Sequence, residues 1–276
     1  MTQKRYDGKV AWITGGASGF GAGASRRLAS LGATVVLSDI DVDGGQKVAA
    51  DIGGTFLPCD VASYDENQAT VRAVLDAHGR LDIAFLNAGI ATGAGVGDDF
   101  DLQRYRRAMG VNLDGVVFGM HAAMAAMKER GGNIVATASL AGLTSVPFDP
   151  IYGANKHGVV GLVRAAGAAT AGNGIFINAI CPGFADTNIL SASAKDALGN
   201  LGIPIIPVDT VVDAVIAAIE SGEGGQCWFI QAGRQIEPFA FRGLPGPRDA
   251  EGNDAPRLAG RVGAALADRA AEEAQQ

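Results

Sequence analysis

The chain of 276 residues is long enough to bury one full hydrophobic core, and its composition, 48% apolar and 18% charged, is typical of a packed α/β protein. Lys and Arg total 22 against 29 Asp and Glu, and the net charge of −7 argues against nucleic acid or an anionic membrane as a partner. No run approaches the ~20 apolar residues that cross a bilayer and the N-terminus lacks the apolar stretch of a signal peptide, which predicts a soluble, cytoplasmic protein.

Cysteine and histidine usage gives no sign of a disulfide or a metal site. The three cysteines are far apart in the chain, odd in number and set in apolar runs, which predicts reduced, buried thiols. The three histidines have no metal-ligand spacing, so we expect helix-surface or packing roles for them and no bound metal. These residues are Cys59, Cys181, Cys227, His78, His121 and His157.

Short apolar runs rich in β-branched residues alternate with longer helical patterns along the chain. The runs are almost continuously apolar, which predicts strands that are covered on both faces. Repeated strand–helix–strand units predict a single α/β domain of Rossmann-like type, with a doubly wound, seven-stranded parallel sheet and helices on both faces. The predicted strands are 9–14, 34–38, 55–58, 81–86, 133–137, 175–180 and 227–230, and the predicted helices include 21–31, 64–79, 102–128, 152–171 and 208–220.

The first predicted strand leads directly into a glycine-rich loop and then into a helix. Glycines suit this position because the turn is tight, the backbone must come close to a pyrophosphate, and the positive helix N-terminus faces the anion. The loop therefore predicts a dinucleotide-binding site at the start of the sheet. Its sequence is Thr14-Gly15-Gly16-Ala17-Ser18-Gly19-Phe20-Gly21.

Asp39 ends the second predicted strand, where a carboxylate can accept hydrogen bonds from the hydroxyl groups of the adenosine ribose. The same negative charge repels a 2′-phosphate. Neither Ala17 nor Ile40, the nearby positions where a cation could offset that repulsion, is basic. The sequence therefore predicts NAD, and not NADP, as the cofactor.

Several motifs occur in the order in which one enzyme family carries them. Residues 14–21 supply a Thr-Gly-x-x-x-Gly-x-Gly loop, and Tyr152 and Lys156 form a Tyr-x-x-x-Lys pair. The other motif residues are Asn87, Ala88, Gly89, Asn112, Ser139, Pro182 and Gly183. Together these motifs resemble the short-chain dehydrogenase/reductase family over residues ~5 to ~232, and their joint occurrence is far more specific than any one of them.

Tyr152 and Lys156 lie four residues apart on a predicted helix, so one helix face carries both side chains. A phenol with a pKa near ~10 is a poor base at neutral pH, and we expect the neighbouring ammonium to lower the pKa of Tyr152. Tyr152 can then accept the alcohol proton as hydride leaves for nicotinamide, or donate it in the reverse direction. The resemblance implies that Ser139 holds the substrate oxygen, that Lys156 binds the nicotinamide ribose and that Asn112 organises a water path to Lys156.

The resemblance also implies the remaining contacts with NAD. It assigns Asp60 and Val61 to the adenine, and Thr187 to the nicotinamide carboxamide or the phosphates. Asn87 is expected to shape the end of the sheet near the cofactor, and a simple turn role is the alternative. The full predicted cofactor-binding set is Gly15, Ser18, Gly19, Phe20, Gly21, Asp39, Asp60, Val61, Asn87, Ala88, Gly89, Tyr152, Lys156, Pro182, Gly183 and Thr187.

The segments expected to line the substrate cleft, residues 90–96, 140–151 and 184 to about 207, are mainly apolar and nearly free of cations. A phosphorylated, coenzyme-A-linked or carboxylate-rich substrate would leave its charge unpaired there, at a high desolvation cost. We therefore predict a small, neutral, mostly apolar secondary alcohol or ketone, which is cyclic, aromatic or steroid-like. The apolar residues are Leu143, Val146, Phe148, Ile151, Phe184, Ile189 and Leu190.

The regular alternation of strands and helices stops after residue 232, where a Pro/Gly-rich stretch and then an Ala/Arg-rich, helix-prone tail follow. We predict a dinucleotide-binding and catalytic domain over 1–232. We further predict that an extension over 233–276 packs on the core or on a neighbouring subunit of a homo-oligomer; the alternative is a loosely attached, flexible arm. Gln231-Ala232-Gly233 replaces the family's usual acidic-glycine turn, so a dimer and a tetramer both stay open.

The prediction is thus an NAD-dependent alcohol dehydrogenase or ketone reductase with Tyr152 as its acid/base. A non-catalytic NAD-binding regulator is a second hypothesis, and the intact set of Asn112, Ser139, Tyr152 and Lys156 disfavours it. A third is a sugar-nucleotide epimerase or dehydratase, which shares the Tyr-x-x-x-Lys pair. Those relatives usually have a Thr-Gly-x-x-Gly-x-x-Gly loop and a larger C-terminal substrate domain, whereas the loop at residues 14–21 has the other spacing. The fold alone does not separate these enzymes from dehydrogenases.

Overall fold

The structure is a computed structural model and describes residues 4–93, 95–243 and 245–254. Its strands form one sheet in the order β3-β2-β1-β4-β5-β6-β7-β8. The bounds are β1 Val10–Thr14, β2 Thr34–Asp39, β3 Thr55–Pro58, β4 Ile83–Leu86, β5 Gly132–Thr137, β6 Ile175–Pro182, β7 Cys227–Ile230 and β8 Glu237–Pro238. The first seven strands are parallel, as predicted, and β8 is an antiparallel addition that the seven-stranded prediction did not contain.

Helices cover both faces of this sheet, which confirms the doubly wound α/β fold. Their bounds are α1 Gly19–Ser30, α2 Val42–Ile52, α3 Tyr64–His78, α4 Leu102–Met109, α5 Gly115–Met127, α6 Pro150–Thr170, α7 Ala192–Asn200 and α8 Val208–Glu220. Helices α1, α2 and α8 pack together on one face, around an apolar cluster that includes Leu28, Val48 and Val215. Helices α3 and α5 pack against each other on the opposite face.

Helices α4 and α5 are joined without a break by a π-helical turn at Gly110–Asp114. The predicted single helix over 102–128 is therefore confirmed in its extent, but the turn inside it was not predicted. A π turn adds a residue to one helical turn and so redirects the side chains next to it, and such turns are frequent at functional sites. This one contains Asn112, whose side chain is fully buried.

Strands β1 and β4 are neighbours in the sheet although they are not consecutive in the chain. The strand order reverses between them, and in such sheets ligands bind in the crevice outside the carboxyl ends of the strands at that point. The glycine loop follows β1, Asn87 follows β4 and Ser139 lies just beyond the end of β5. The fold thus brings the predicted site residues to one edge of the sheet.

Two compact units divide the chain, with the boundary between Phe239 and Ala240. The first unit extends beyond the predicted boundary at residue 232, because Glu237 and Pro238 pair with Phe229 and Trp228 of β7. In the second unit, Arg248 forms an ion pair with Asp254. The predicted helix-prone tail, residues 257–276, lies outside the described residues, and its packing stays a prediction.

The three cysteines are free and buried, which confirms their prediction as reduced thiols. Cys181 and Cys227 lie on the neighbouring strands β6 and β7, and each thiol affects the pKa of the other. Among the helices of the described ranges, none combines the length and the apolarity that spanning a membrane requires.

Candidate active site

The glycine loop leaves no room for side chains at two of its positions. Gly15 has φ +64°, and a methyl group placed on it would lie 2.8 Å from Ala88 Cα. A methyl group on Gly21 would lie 2.0 Å from the carbonyl oxygen of Gly15. The loop backbone therefore lies tight against the segment that follows β4 and against the start of α1, a shape that fits the close approach of a pyrophosphate.

The rest of the loop faces the segment after β6. Ser18 is the N-cap of α1, and Phe20 in the first turn packs against the apolar core. Gly19 has φ +50°, and a methyl group on it would lie 3.3 Å from Thr187 Cγ2. Thr187 is thus placed across from the N-terminus of α1, the end of a helix that favours an anion.

Asp39 stands at the end of β2, with its carboxylate turned toward the glycine loop. Its Oδ2 accepts a hydrogen bond from the Ala17 N–H at 3.0 Å, and its Oδ1 accepts one from the Asp41 N–H at 3.0 Å. Among the described residues it has no salt-bridge partner, and the adjacent Ile40 is 66% exposed. The carboxylate is therefore oriented by backbone amides, and its charge is not neutralised by a cation.

Hydrogen bonds of Asn87 and Thr14 connect the carboxyl ends of β1 and β4. The Thr14 hydroxyl accepts hydrogen bonds from the N–H groups of Asn87, at 2.9 Å, and Ala88, at 3.1 Å. The Asn87 side chain donates to the carbonyl oxygens of Thr14 and Gly15 and accepts from the Thr137 hydroxyl. The Asn87 side chain therefore links the backbone after β1 to the end of β5.

Ser139 and Tyr152 meet beside this edge. The Ser139 Oγ accepts a hydrogen bond from the Ala141 N–H at 3.1 Å and lies 3.4 Å from the Pro182 carbonyl oxygen. The Tyr152 side chain, from the first turn of α6, lies close enough to Ser139 for this residue to lower the pKa of the phenol. Two hydroxyl groups that differ in acidity thus stand side by side, an arrangement that can hold a substrate oxygen and exchange a proton with it.

Lys156 brings a buried ammonium group to the same point. Its side chain is only 3% exposed, its Nζ donates to the Thr137 carbonyl oxygen at 2.8 Å, and it lies 5.7 Å from the centre of the Tyr152 ring. Among the described residues no carboxylate pairs with it. Burial therefore lowers the pKa of Lys156 from its ordinary value of 10.5 to about 8.

The expected lowering of the Tyr152 pKa is wrong for this arrangement. Burial raises the pKa of Tyr152, the neighbouring Ser139 lowers it, and the negative charge of Asp149 raises it further. The Lys156 ammonium is directed toward the tyrosine ring and the Thr137 carbonyl oxygen. Desolvation of the phenolate is therefore the largest influence on the pKa of Tyr152, and the phenol is protonated at neutral pH.

Asn112 holds the backbone on the other side of Lys156. Its Oδ1 accepts from the Ile90 N–H at 2.8 Å, and its Nδ2 donates to the Ile90 carbonyl oxygen at 2.9 Å. A methyl group on Gly89 would lie 3.4 Å from Asn112 Oδ1 and 3.8 Å from Lys156 Nζ, so both side chains converge on Gly89. Asn112 belongs to the π turn, which directs its side chain toward Gly89.

The remaining predicted residues lie along the same edge. Asp60 is exposed, and its Oδ1 accepts from the Ala62 N–H at 3.0 Å, whereas Val61 is buried and packs against Gly115. Pro182 ends β6, and the Gly183 N–H donates to the Ile230 carbonyl oxygen at 2.9 Å.

Comparison with known proteins decides the family. The sequence model described as short chain dehydrogenase matches residues 9–198, more than half of the chain. The chain belongs to the short chain dehydrogenase family. It is therefore an oxidoreductase of a family that binds a nicotinamide cofactor, and the glycine loop and the oriented Asp39 carboxylate fit such a group.

Relatives of this short chain dehydrogenase include enzymes named for cyclic alcohols. It is 34% identical over 217 residues to a mitochondrial borneol dehydrogenase of Lavandula x intermedia, covering 77% of this chain and 84% of that protein. It is 37% identical over 217 residues to a cyclohexanol dehydrogenase of Acinetobacter sp. (strain SE19), covering 74% and 86%. A 3-ketoacyl-(acyl-carrier-protein) reductase from Brucella melitensis, crystallised with NADH, has a TM-score of 0.77 at 28% identity, covering 83% of this chain and 98% of that one.

One residue predicted to line the substrate cleft of this dehydrogenase lies elsewhere. Ile151 is 3% exposed and packs against Ala108 and Tyr105 of α4, so it belongs to a helix contact. Phe148, in contrast, is 81% exposed, and Phe184 is 38% exposed. These two aromatic side chains are accessible at the surface.

The sequence prediction gave no role to Asp149, which lies directly before α6. Its carboxylate accepts a hydrogen bond from the Tyr152 N–H at 2.9 Å. A signal for this residue was present, because Asp followed by Pro is typical of an N-cap and the first helical position. The predicted helix began at residue 152, two residues later than the helix that Pro150 begins.

Proposed function

We propose that this short chain dehydrogenase is an NAD-dependent alcohol dehydrogenase that acts on neutral, mostly apolar secondary alcohols and the corresponding ketones, with Tyr152 as the acid/base. The observation that carries the proposal is the convergence of Ser139, Tyr152 and Lys156 at the carboxyl edge of the sheet, beside the glycine loop. The bound cofactor would supply the nicotinamide that accepts or returns the hydride.

The proton chemistry follows from the surroundings of Tyr152. Ser139 would hold the substrate oxygen by a hydrogen bond, and the Tyr152 phenol would exchange a proton with the same oxygen. Because burial raises the pKa of Tyr152, the phenol is well suited to donate a proton to a ketone at neutral pH. In the oxidation of an alcohol the phenol must first be ionised, so the rate of oxidation should rise with pH.

Lys156 would bind the cofactor next to Tyr152, and Asn112 would support the backbone beside Lys156. The buried Lys156 ammonium would donate to the nicotinamide ribose, and Asn112 keeps the backbone at Ile90 in place next to it. Asp39 would accept hydrogen bonds from the adenosine ribose and repel a 2′-phosphate, which favours NAD.

Within this class we propose an alicyclic secondary alcohol as the substrate. Two relatives are named for such alcohols, borneol and cyclohexanol. The exposed Phe148 and Phe184, together with Ile189, which is 44% exposed, offer apolar surface for a saturated ring. Cyclohexanol and borneol with NAD are therefore the first substrates to assay, by the absorbance of NADH.

The Tyr152→Phe variant tests the proposal, because it removes the phenol oxygen and leaves the ring. General acid–base catalysis contributes roughly 10²–10⁴-fold, so we expect a loss of kcat of about that size with cyclohexanol, and an NADH affinity near that of the wild type by fluorescence titration. Tyr64→Phe is the matched control, since Tyr64 is a half-exposed tyrosine at the start of α3. Near-native turnover by Tyr152→Phe would show that the acid/base lies elsewhere.

A further inference from the structure

The carboxylate of Asp149 accepts hydrogen bonds from two separate parts of the chain. Its Oδ1 accepts from the Tyr152 N–H at 2.9 Å, and the Gly153 N–H donates to the Asp149 carbonyl oxygen at 3.0 Å, which makes Asp149 the N-cap of α6. Oδ1 also accepts from the Thr92 hydroxyl, and Oδ2 accepts from the Gly93 N–H at 3.3 Å. One side chain therefore joins the start of α6 to residues 90–93, which we call the cleft segment.

The cleft segment is attached at both of its ends. Asn112 holds Ile90 through both backbone groups, as described above, and Asp149 holds Thr92 and Gly93. Thr92 is only 6% exposed, so its hydroxyl group has little access to water as an alternative partner. Loss of the Asp149 carboxylate would leave this buried donor without its acceptor.

The position of Asp149 also matters for charge. Four polar or charged groups lie near Tyr152 and the cleft segment: the Asp149 carboxylate, the Lys156 ammonium, the Ser139 hydroxyl and the Arg104 guanidinium. Arg104, from α4, donates to the Gly93 carbonyl oxygen at 3.1 Å. Burial raises the pKa of Tyr152 and the negative charge of Asp149 raises it further. Asp149 is thus the negatively charged member of this group.

We propose that Asp149 is a positioning residue for the reaction, whose carboxylate joins the cleft segment to the first turn of α6 and so fixes Tyr152 relative to the substrate oxygen. The inference rests on the proposed role of Tyr152 as acid/base. It goes beyond an N-cap, because a cap needs only one acceptor for a helix N–H, whereas this carboxylate also holds two donors of the cleft segment.

Three substitutions of Asp149 separate these roles. Asp149→Ser keeps an acceptor for the Tyr152 N–H but is too short to hold the cleft segment, and Asp149→Ala removes both functions. Asp149→Asn keeps the size and one acceptor oxygen but loses the negative charge. Thr92→Val removes the hydroxyl from the other partner at nearly the same shape. Ser63→Ala is the matched control, since Ser63 caps α3 through the Glu66 N–H, away from Tyr152.

The assay is cyclohexanol oxidation by the full-length enzyme with NAD, together with NADH titration and thermal unfolding of each variant. A small misplacement of reacting groups can cost up to about 100-fold in rate, and we expect Asp149→Ala and Asp149→Ser to lose about tenfold or more in kcat while the Kd for NADH stays unchanged. Thr92→Val should show a smaller loss of the same kind. Ser63→Ala should keep its kcat even if it unfolds at a lower temperature.

The pH profile of Asp149→Asn gives a reading that a purely structural role would not change. Without the negative charge the pKa of Tyr152 falls, so kcat/KM for oxidation should reach half of its maximum at a lower pH than in the wild type. Wild-type kcat in Asp149→Ser, or an unshifted profile in Asp149→Asn, would overturn the inference. An active Tyr152→Phe would refute the proposed function instead, so the two failures are distinguishable.

Discussion

Lys156 shows how a functional residue can lower the stability of the fold that holds it. Its ammonium group is buried and has one hydrogen-bond acceptor, the Thr137 carbonyl oxygen, among the described residues. The pKa of Lys156 falls from 10.5 to about 8 for this reason. The unfolded chain therefore binds this proton more tightly than the folded protein does, and the difference opposes folding wherever the folded amine is charged.

We expect Lys156→Met to raise the free energy of unfolding of the cofactor-free protein at pH 7. At 1.36 kcal/mol per pKa unit the relieved cost is up to about 3 kcal/mol, and loss of the hydrogen bond to Thr137 would offset about 1 kcal/mol of it. Between about pH 8 and about pH 10.4 the amine is neutral in the folded protein and still charged in the unfolded chain. The wild type therefore gains stability as the pH rises through this range, and the difference in free energy of unfolding between Lys156→Met and the wild type becomes smaller. Urea unfolding at pH 7 and pH 10 measures this, with the exposed Lys47→Met as control. A destabilised Lys156→Met at pH 7 would contradict the account.

In the proposed function Asp39 sets the preference for the coenzyme, and its carboxylate is held in place by two backbone hydrogen bonds. A charge-assisted hydrogen bond contributes about 1.5–3 kcal/mol, so one such bond plus repulsion of the 2′-phosphate should favour NAD over NADP by about 100-fold or more in kcat/KM. Asp39→Ala should reduce this preference, mainly by lowering kcat/KM with NAD. Adding Ile40→Arg to that variant should raise kcat/KM with NADP. Asp43→Ala, which removes an exposed carboxylate from the first turn of α2, is the control. Equal use of both coenzymes by the wild type would show that Asp39 does not reach the ribose.

At the scale of secondary structure, the seven parallel strands were predictable because each is a short, continuous apolar run between turn-forming residues. Strand β8 was not, since Glu237–Pro238 is two residues long and contains no hydrophobic alternation. Helix α2 is absent from the predicted helices that were named, and two glycines, Gly44 and Gly45, weaken its helical pattern. The π turn was also missed, because its hydrogen bonding leaves no mark on apolar periodicity.

The same distinction applies to the candidate site. Ser139, Tyr152 and Lys156 could be predicted because they belong to a motif with fixed spacing. The contact between Thr92 and Asp149 could not, because the two residues are 57 positions apart and only the folded chain brings them together. The raised pKa of Tyr152 was missed for a related reason, since burial is a property of the packed structure and sequence spacing reveals only the neighbouring Lys156.

At the scale of the whole molecule, every predicted catalytic and cofactor-binding residue lies in the compact unit that ends at Phe239. That unit includes all eight strands of the sheet. A shortened chain should therefore end after Phe239 and not after residue 232, because the earlier end would remove β8 from the edge of β7. The sequence prediction gives the extension a place on the core or on a neighbouring subunit of a homo-oligomer, and this stays a prediction.

A chain truncated after Phe239 tests that prediction. The unit should keep its circular dichroism spectrum and its affinity for NADH, since the truncation leaves the whole sheet and the glycine loop in place. If the extension packs on the core or on another subunit, its removal should lower the unfolding temperature, the oligomeric mass by light scattering, or the affinity for cyclohexanol, because apolar surface that it covers would become exposed to water. Phe241 gives a milder variant of the same test, since Phe241→Ser alters one aromatic residue of the extension in the full-length chain. Full retention of stability, mass and substrate affinity by the truncated chain would instead support a loosely attached arm.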